Sequence, residues 1–184
     1  MREVLTYRLP DTTKVTLRPA TPDDAAGIIA AVRSQSAERS YVLMEIYGKS
    51  AAEERAYLEK LDRARNLFLV AVVGGEIVGV LALLDMPLCS ERAGSLAAGV
   101  HLTPAWRGRG IGSALLRYAV RWAVAHGFNR IEADIFTANE RSLHLFHKSS
   151  FREDPCHRRS VQVGAREISE VILTRRLPGS APRS

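Results

Sequence analysis

Long apolar runs are missing from this sequence. No stretch approaches the ~20 residues that a helix needs to cross a bilayer. The opening residues, MREVLTYRLPDTTK, hold no apolar segment followed by a small-residue cleavage site, so no signal peptide is read and a cytoplasmic location is expected. Cysteine is scarce: only Cys89 and Cys156 occur. Their spacing fits no metal site, which leaves free thiols in a reducing compartment and no bound metal as the expectation. No internal repeat and no low-complexity block is present. The chain is basic, with a formal net charge of +6 and a pI near 9.7. The basic residues are almost all arginine and are dispersed rather than blocked. No aromatic platform accompanies them, which argues against nucleic acid as partner, whose binding would be steeply salt-dependent. At 184 residues and 46% hydrophobic the chain can bury one full core. A single domain is expected over residues 1–177, with a small, polar, Pro-containing tail at 178–184 expected to be disordered.

What is present is organised around residues 102–116, LTPAWRGRGIGSALL. A turn with glycines at alternate positions (Gly108, Gly110, Gly112) runs into an amphipathic pattern. The first N–H groups of a helix have no intrahelical partner, and the helix dipole favours negative charge there. Glycine lets a ligand approach the backbone closely. Arg107 and Arg109 add side chains able to pair with phosphate oxygens.

Around this loop the chain reads as alternating elements. Lys14–Pro19 is a strand and Thr21 opens a helix with Pro22 and acids in its first turn. Residues 34–50 resist a reading. Ser50, with Glu53 three residues on, opens a second helix over residues 50–65. Residues 66–73 and 76–84 are two apolar runs joined by Gly74-Gly75, a β-hairpin. A loop at 85–92 precedes a glycine-interrupted strand at 93–102. The helix after the loop carries Ile111, Ala114, Leu115, Tyr118, Ala119 and Trp122 on one stripe and ends near His126-Gly127. Arg130–Phe136 alternates as a strand, and Asn139 can cap a short helix bearing Leu143 and Phe146. A final hairpin turns near Gly164. This is an α/β domain with a mixed sheet, its glycine loop at the C-terminal end of a central strand, where open sheets bind ligands.

Three nucleotide-loop patterns can be compared with Arg107–Gly112. A P-loop requires Gly-Lys-Ser/Thr, and no lysine lies near. A dinucleotide fingerprint starting at Gly108 requires glycine at 113, which is serine. The run Arg107-Gly108-Arg109-Gly110-Ile111-Gly112 instead resembles the Arg/Gln-x-x-Gly-x-Gly/Ala motif of the GNAT superfamily of N-acetyltransferases. Residues 139–151, NERSLHLFHKSSF, are similar to that family's Asn-x-x-Ala-x-x-Leu-Tyr-x-x-x-Gly-Phe segment, and residues 15–24 to its opening strand and helix start. The resemblance spans nearly the whole chain. It implies a mixed, mostly antiparallel twisted sheet flanked by helices, with a splayed central strand pair at the acyl-CoA site. It further implies acetyl-CoA as cosubstrate and a primary amine as acceptor, attacked directly in a ternary complex. By the same resemblance the amides of Arg107, Gly108, Arg109, Gly110, Ile111 and Gly112 hold the pyrophosphate. Backbone groups of Val100 and Leu102 pair with the pantetheine arm. Asn139 hydrogen-bonds that arm, with Ser142 beside it. The family commonly dimerises, and a homodimer is left open.

Two departures bear on chemistry. Ala97 occupies the position where the family often has a carboxylate base, and Phe146 replaces the tyrosine that serves as general acid. Ser150 replaces the glycine before Phe151. A lysine side chain with pKa ~10.4 is neutral only about 0.04% of the time at pH 7, whereas an α-amine near 8 is neutral roughly a tenth of the time. A weakly basic amine is therefore the easier acceptor. Candidate replacements for the missing groups are Glu45 as base, Tyr41 (or Tyr47) as proton donor, and His101. Helix geometry directs His144 and His147 away from the Phe146 face, and Glu132 and Asp134 are expected to face water. The same departures support an alternative, a catalytically weak acyl-CoA-binding or regulatory module on the same fold.

Overall fold

The computed structural model describes residues 3–34, 48–86, 88, 94–163 and 166–178. Its strands are β1 (Leu5–Arg8), β2 (Lys14–Pro19), β3 (Leu67–Val73), β4 (Glu76–Leu84), β5 (Ser95–Leu102), β6 (Arg130–Phe136), β7 (Arg152–Val163) and β8 (Arg166–Arg176). They form one sheet in the order β1-β2-β3-β4-β5-β6-β8-β7. Every neighbouring pair is antiparallel except β5 with β6. Among the described residues the α-helices are α1 (Ala25–Arg33), α2 (Ala51–Lys60), α3 (Ile111–Ala125) and α4 (Glu140–Lys148). The expected mixed, mostly antiparallel sheet with flanking helices is thus present.

Successive side chains on a strand point to opposite faces, and the sheet uses both. Leu96 and Ala98 of β5 join the larger core, with the α3 stripe from Ile111 to Trp122 and with Phe146 of α4. Ala97 joins the opposite core, with Ile28, Ile29 and Val32 of α1 and Leu58 of α2. Each fully buried leucine or isoleucine in these layers is worth about 1.5–3 kcal/mol of transfer free energy. Phe146 meets Phe151 edge to face, with ring centroids 4.9 Å apart.

The helix starts follow their sequence signals. Ser50 Oγ accepts from the Glu53 amide at 3.2 Å, and Glu53 Oε2 accepts from the Ser50 amide at 2.7 Å, a closed capping box. Asp24 accepts from the Thr21 amide at 2.7 Å and receives both terminal nitrogens of Arg18, at 2.6 and 2.8 Å.

Three differences from the sequence reading have local causes. Helix α2 ends at Lys60 rather than 65, because Asp62 turns the chain. Its carbonyl accepts from the amides of Arg65 and Asn66, and its carboxylate from Ala64. Strand β1 carries only a brief alternation, Leu5 and Tyr7 between Thr6 and Arg8, too short for a sequence signal in an edge strand of four largely exposed residues. Strand β5 begins at Ser95, two residues later than expected.

Candidate functional site

Parallel β5 and β6 pair at Ser95 with Arg130, Leu96 with Ile131 and Ala97 with Glu132. Beyond those positions β5 runs on to Leu102 and β6 to Phe136. At the end of β5 the Thr103 amide donates to the Val78 carbonyl at 2.9 Å, and Pro104–Trp106 make one 3-10 turn. Arg107 then reaches back, its Nε–H donating to the Leu102 carbonyl at 3.0 Å. The chain enters α3 through Gly108 at φ +71° and Gly110 at φ +84°, a left-handed geometry that disfavours a Cβ. Gly110 is the N-cap of α3, and no side chain caps that end. Nothing stands within 4 Å of where a Cβ on Gly108 or Gly110 would lie. The start of a 15-residue helix therefore presents its amides and positive dipole end to an open space.

That space is a cavity of about 920 Å³. It is lined by Val100, His101, Leu102, Pro104, Arg107, Gly108, Gly110, Gly112 and Ser113, and across from them by residues 139–142, 144, 145 and 148. Of the residues that the sequence singles out for the cofactor, Val100, Leu102, Arg107, Gly108, Gly110, Gly112, Asn139 and Ser142 all meet here. The Ile111 side chain turns away, fully buried in the larger core, while its amide stands at the α3 start. The Arg109 side chain turns away too. It pairs with Asp11 at 3.0 Å and lies over the Trp106 ring, 4.9 Å from its centroid.

The three glycines divide their work. Gly108 and Gly110 supply conformation. Gly112 supplies proximity, because a Cβ there would stand 3.0 Å from Leu145 Cδ2 and 3.4 Å from Leu102 Cδ1. Its absence lets α4 close on α3. Asn139 caps α4, its Oδ1 accepting from the Ser142 amide at 3.0 Å. Ser113 Oγ on the cavity wall is buried and has no hydrogen-bond partner among the described residues.

Of the proton-transfer candidates, His101 is buried, at 6% exposure, and lines the cavity. Glu45, Tyr41 and Tyr47 lie outside the described residues. His144 and His147 are exposed, as helix geometry requires, and His144 borders the cavity. Glu132 and Asp134 correct the sequence reading. They do not face water but are buried, at 0% and 7% exposure. The Leu88 amide donates to Glu132 Oε2 at 3.1 Å, and Arg130 lies 3.9 Å from its other oxygen. Alternation had placed them on the correct common face, but not what covers that face. Sequence reasoning missed Ser113, Leu145 and Lys148. The signal was available in α4, where residues 141, 144/145 and 148 share one helical face.

A second cavity, of about 590 Å³, opens on the other side of the α3 start. Arg109, Gly110, Ser113 and Lys148 are on its wall, with Tyr7 and Arg117. Burial pushes the Tyr7 phenol above its usual pKa, and the Arg117 charge opposes that rise.

Residues 34–151 match the model of the acetyltransferase (GNAT) family. An acetyltransferase of Pectobacterium atrosepticum is 32% identical over 112 residues, which is 60% of this chain and 72% of that protein. Among solved structures, an acetyltransferase of the GNAT family from Streptococcus pneumoniae superposes with a TM-score of 0.76 at 20% identity, covering 89% of this chain and 99% of that one. A GNAT superfamily phosphinothricin acetyltransferase from Sinorhizobium meliloti, solved in complex with acetyl-CoA, superposes at 0.74 with 23% identity, covering 89% of this chain and 88% of that one. These two likenesses bear on the fold.

Proposed function

This chain belongs to the acetyltransferase (GNAT) family, and from that premise we propose that it transfers an acetyl group from acetyl-CoA to a primary amine by direct attack in a ternary complex. The carrying observation is the cavity that joins the uncapped start of α3 to the end of β5 and to α4. The residues present fit the cosubstrate. Gly108 and Gly110 leave open the room that a Cβ would take, which suits a pyrophosphate on the helix dipole. The cavity has the size of sites that enclose extended ligands. Acetyl-CoA supplies an activated acyl thioester.

The chain's own groups would do the rest. The amides at 107–112 and the α3 dipole would hold the diphosphate. Val100 and Leu102 would offer backbone groups to the pantetheine arm. The pairing of β5 with β6 near Ser95–Ala97 supports a strand end at which those groups are turned to a ligand. Asn139 spends its Oδ1 on the helix cap, so its side-chain NH₂ is the group left to donate to the arm. His101, at the cavity wall, would take a proton from the substrate ammonium, and the neutral amine so formed would attack the thioester carbonyl and expel the CoA thiolate. With no carboxylate at Ala97, a weakly basic amine such as an α-amine is the favoured acceptor.

A second reading, a weakly catalytic acyl-CoA-binding module, is favoured by one observation. Phe146 is buried in the core against Phe151 and carries no proton for the leaving thiolate. One experiment separates the readings. Calorimetry with acetyl-CoA should show saturable binding that Gly110→Trp weakens, and free-thiol release with a panel of α-amines and side-chain amines should show turnover. Binding without turnover on any amine selects the second reading. No binding overturns both.

A further inference from the structure

Where β5 and β6 part, the two faces of the sheet differ in chemistry. Pairing ends at Ala97 with Glu132, although β5 runs on to Leu102 and β6 to Phe136. On one face Leu96, Ala98, Ile131, Ala133 and Ile135 join the larger core with α3. Alternation puts Ala97, Gly99 and His101 of β5 on the other face, with Glu132, Asp134 and Phe136 of β6. Strand β8 extends that second face, since Ile172 stands opposite Asp134 and Glu170 opposite Phe136.

Charge is sorted along the second face. Arg130 and Arg176 stand in register with each other at the end where β5 begins. Towards the other end come Glu132, Asp134 and Glu170, all buried, and His101. Glu132 is engaged in structure: the Leu88 amide donates to its Oε2 at 3.1 Å, and Arg130 lies 3.9 Å from Oε1. Asp134 is the first β6 side chain on this face beyond the last paired position. Across the splay β5 offers Gly99, which has no side chain, and then His101. Ile172 beside Asp134 is apolar and buried. None of the neighbouring positions on this face (99, 101, 132, 136, 170 and 172) is Lys or Arg. A carboxylate shielded from water, beside an imidazole and an apolar flank, is the chemistry of an ammonium site.

In the acetyl-transfer reading above, on which this inference rests, the cosubstrate occupies the α3 side of the sheet. The second face is then left to the amine. We propose that Asp134 binds the acceptor's ammonium, and that the acids around it restrict the acceptor to amines without a neighbouring acid group. An α-amine whose carboxyl is blocked as an amide meets that demand. The same amino acid with a free carboxylate is repelled by Asp134, Glu132 and Glu170. His101, on the same face and at the wall of the first cavity, is placed to take the proton of the bound ammonium.

Free-thiol release at saturating acetyl-CoA, with alaninamide and free alanine compared per unit of neutral amine, tests this. The wild-type chain should favour alaninamide about tenfold or more in kcat/KM, the scale of one charge-assisted contact. Asp134→Asn should narrow that ratio by raising KM for alaninamide, while kcat and the KM for acetyl-CoA hold. Asp134→Glu keeps the charge and should keep the preference. Asp134 is buried, so titration with acetyl-CoA serves as the folding control for each variant, and the wild-type ratio decides without any variant. Equal use of the two amines by the wild type overturns the proposal. So does an Asp134→Asn chain that binds acetyl-CoA and keeps the ratio, or one that loses kcat equally on both amines, the mark of a purely structural role. Turnover confined to other amines of the panel overturns it as well. If no amine is acetylated, the acetyl-transfer reading itself fails and takes this inference with it.

Discussion

The Nε–H of Arg107 donates to the carbonyl of Leu102 at 3.0 Å. The first arginine of the glycine loop is therefore tied to the last residue of β5, and it fixes the loop on the strand end. A tie of this kind needs the planar guanidinium with its inner N–H; a lysine ammonium at the end of a flexible stem is not equivalent. Arg107→Lys should thus behave like Arg107→Ala. Both should raise KM for acetyl-CoA several-fold, and isothermal titration should show the same loss in each. Full rescue by lysine would mean that charge alone matters at this position.

Gly110 and Gly112 should fail in different ways. Alanine at 110 meets nothing within 4 Å but must adopt φ +84°, a strain of about 1–2 kcal/mol. Gly110→Ala should lower Tm by a few degrees. Gly112 has no such strain, and Gly112→Ala asks Leu145 to give by a small movement. Gly112→Leu, however, would wedge α4 from α3 and abolish acetyl-CoA binding. Differential scanning calorimetry beside titration separates the two modes. Similar Tm losses for both alanine variants would refute the division of roles.

Asn139 offers a test of one side chain with two ends. Asn139→Ala removes the cap on α4 and should cost about 1 kcal/mol. Asn139→Asp keeps an accepting oxygen, with a charge that the helix start favours, so Tm should hold. It lacks the NH₂, and KM for acetyl-CoA should rise. An unchanged KM in a stable Asn139→Asp variant would limit Asn139 to capping.

Glu54 is fully buried and lies 3.6 Å from Lys49, and neither of its oxygens has a hydrogen-bond partner among the described residues. Burial raises its pKa above the usual carboxylate value, with Lys49 pulling the other way. The folded chain thus holds the Glu54 proton more tightly than the unfolded chain does. That contribution to stability is fully present below the unfolded pKa of ~4.3 and is lost as pH rises through the folded value. Glu54→Gln should accordingly raise Tm at pH 8, with the gain fading as the pH approaches 4. Thermal melts across that range decide it; a variant less stable than wild type at pH 8 would mean that the Lys49 pair outweighs burial.

Asp24 has the opposite sign. Burial alone would raise its pKa, but bonds from Arg18 and from the Thr21 amide and hydroxyl outweigh it and hold the carboxyl below its usual range. Its stabilisation is present above the unfolded pKa of ~3.9 and lost as pH falls through the lower folded value. Asp24→Asn should lower Tm at pH 7, and the deficit should close in acid. A deficit independent of pH would assign the effect to packing.

Much of the site was legible in sequence, because its parts are local. The 3.6-residue stripe from Ile111 to Trp122 specifies α3, and the alternate glycines before it specify an open helix start. Asn139 marks the start of α4 by its capping chemistry, and Ser50 with Glu53 marks that of α2. Period-two alternation set Glu132 and Asp134 on one face of β6. These signals lie within a turn or two of chain, where sequence spacing is spatial spacing.

What the tertiary structure alone decided is convergence. Both loop arginines look like phosphate ligands in sequence, yet Arg107 turns to Leu102 and Arg109 to Asp11. Glu132 and Asp134 are covered rather than wet. Arg8 from the first strand and Arg175 from the last come to one cavity with Arg117 and Lys148. No periodicity encodes such meetings. They follow from the order of the strands across the sheet and from how closely α4 can approach α3 over Gly112, both of which are set by packing of the whole core.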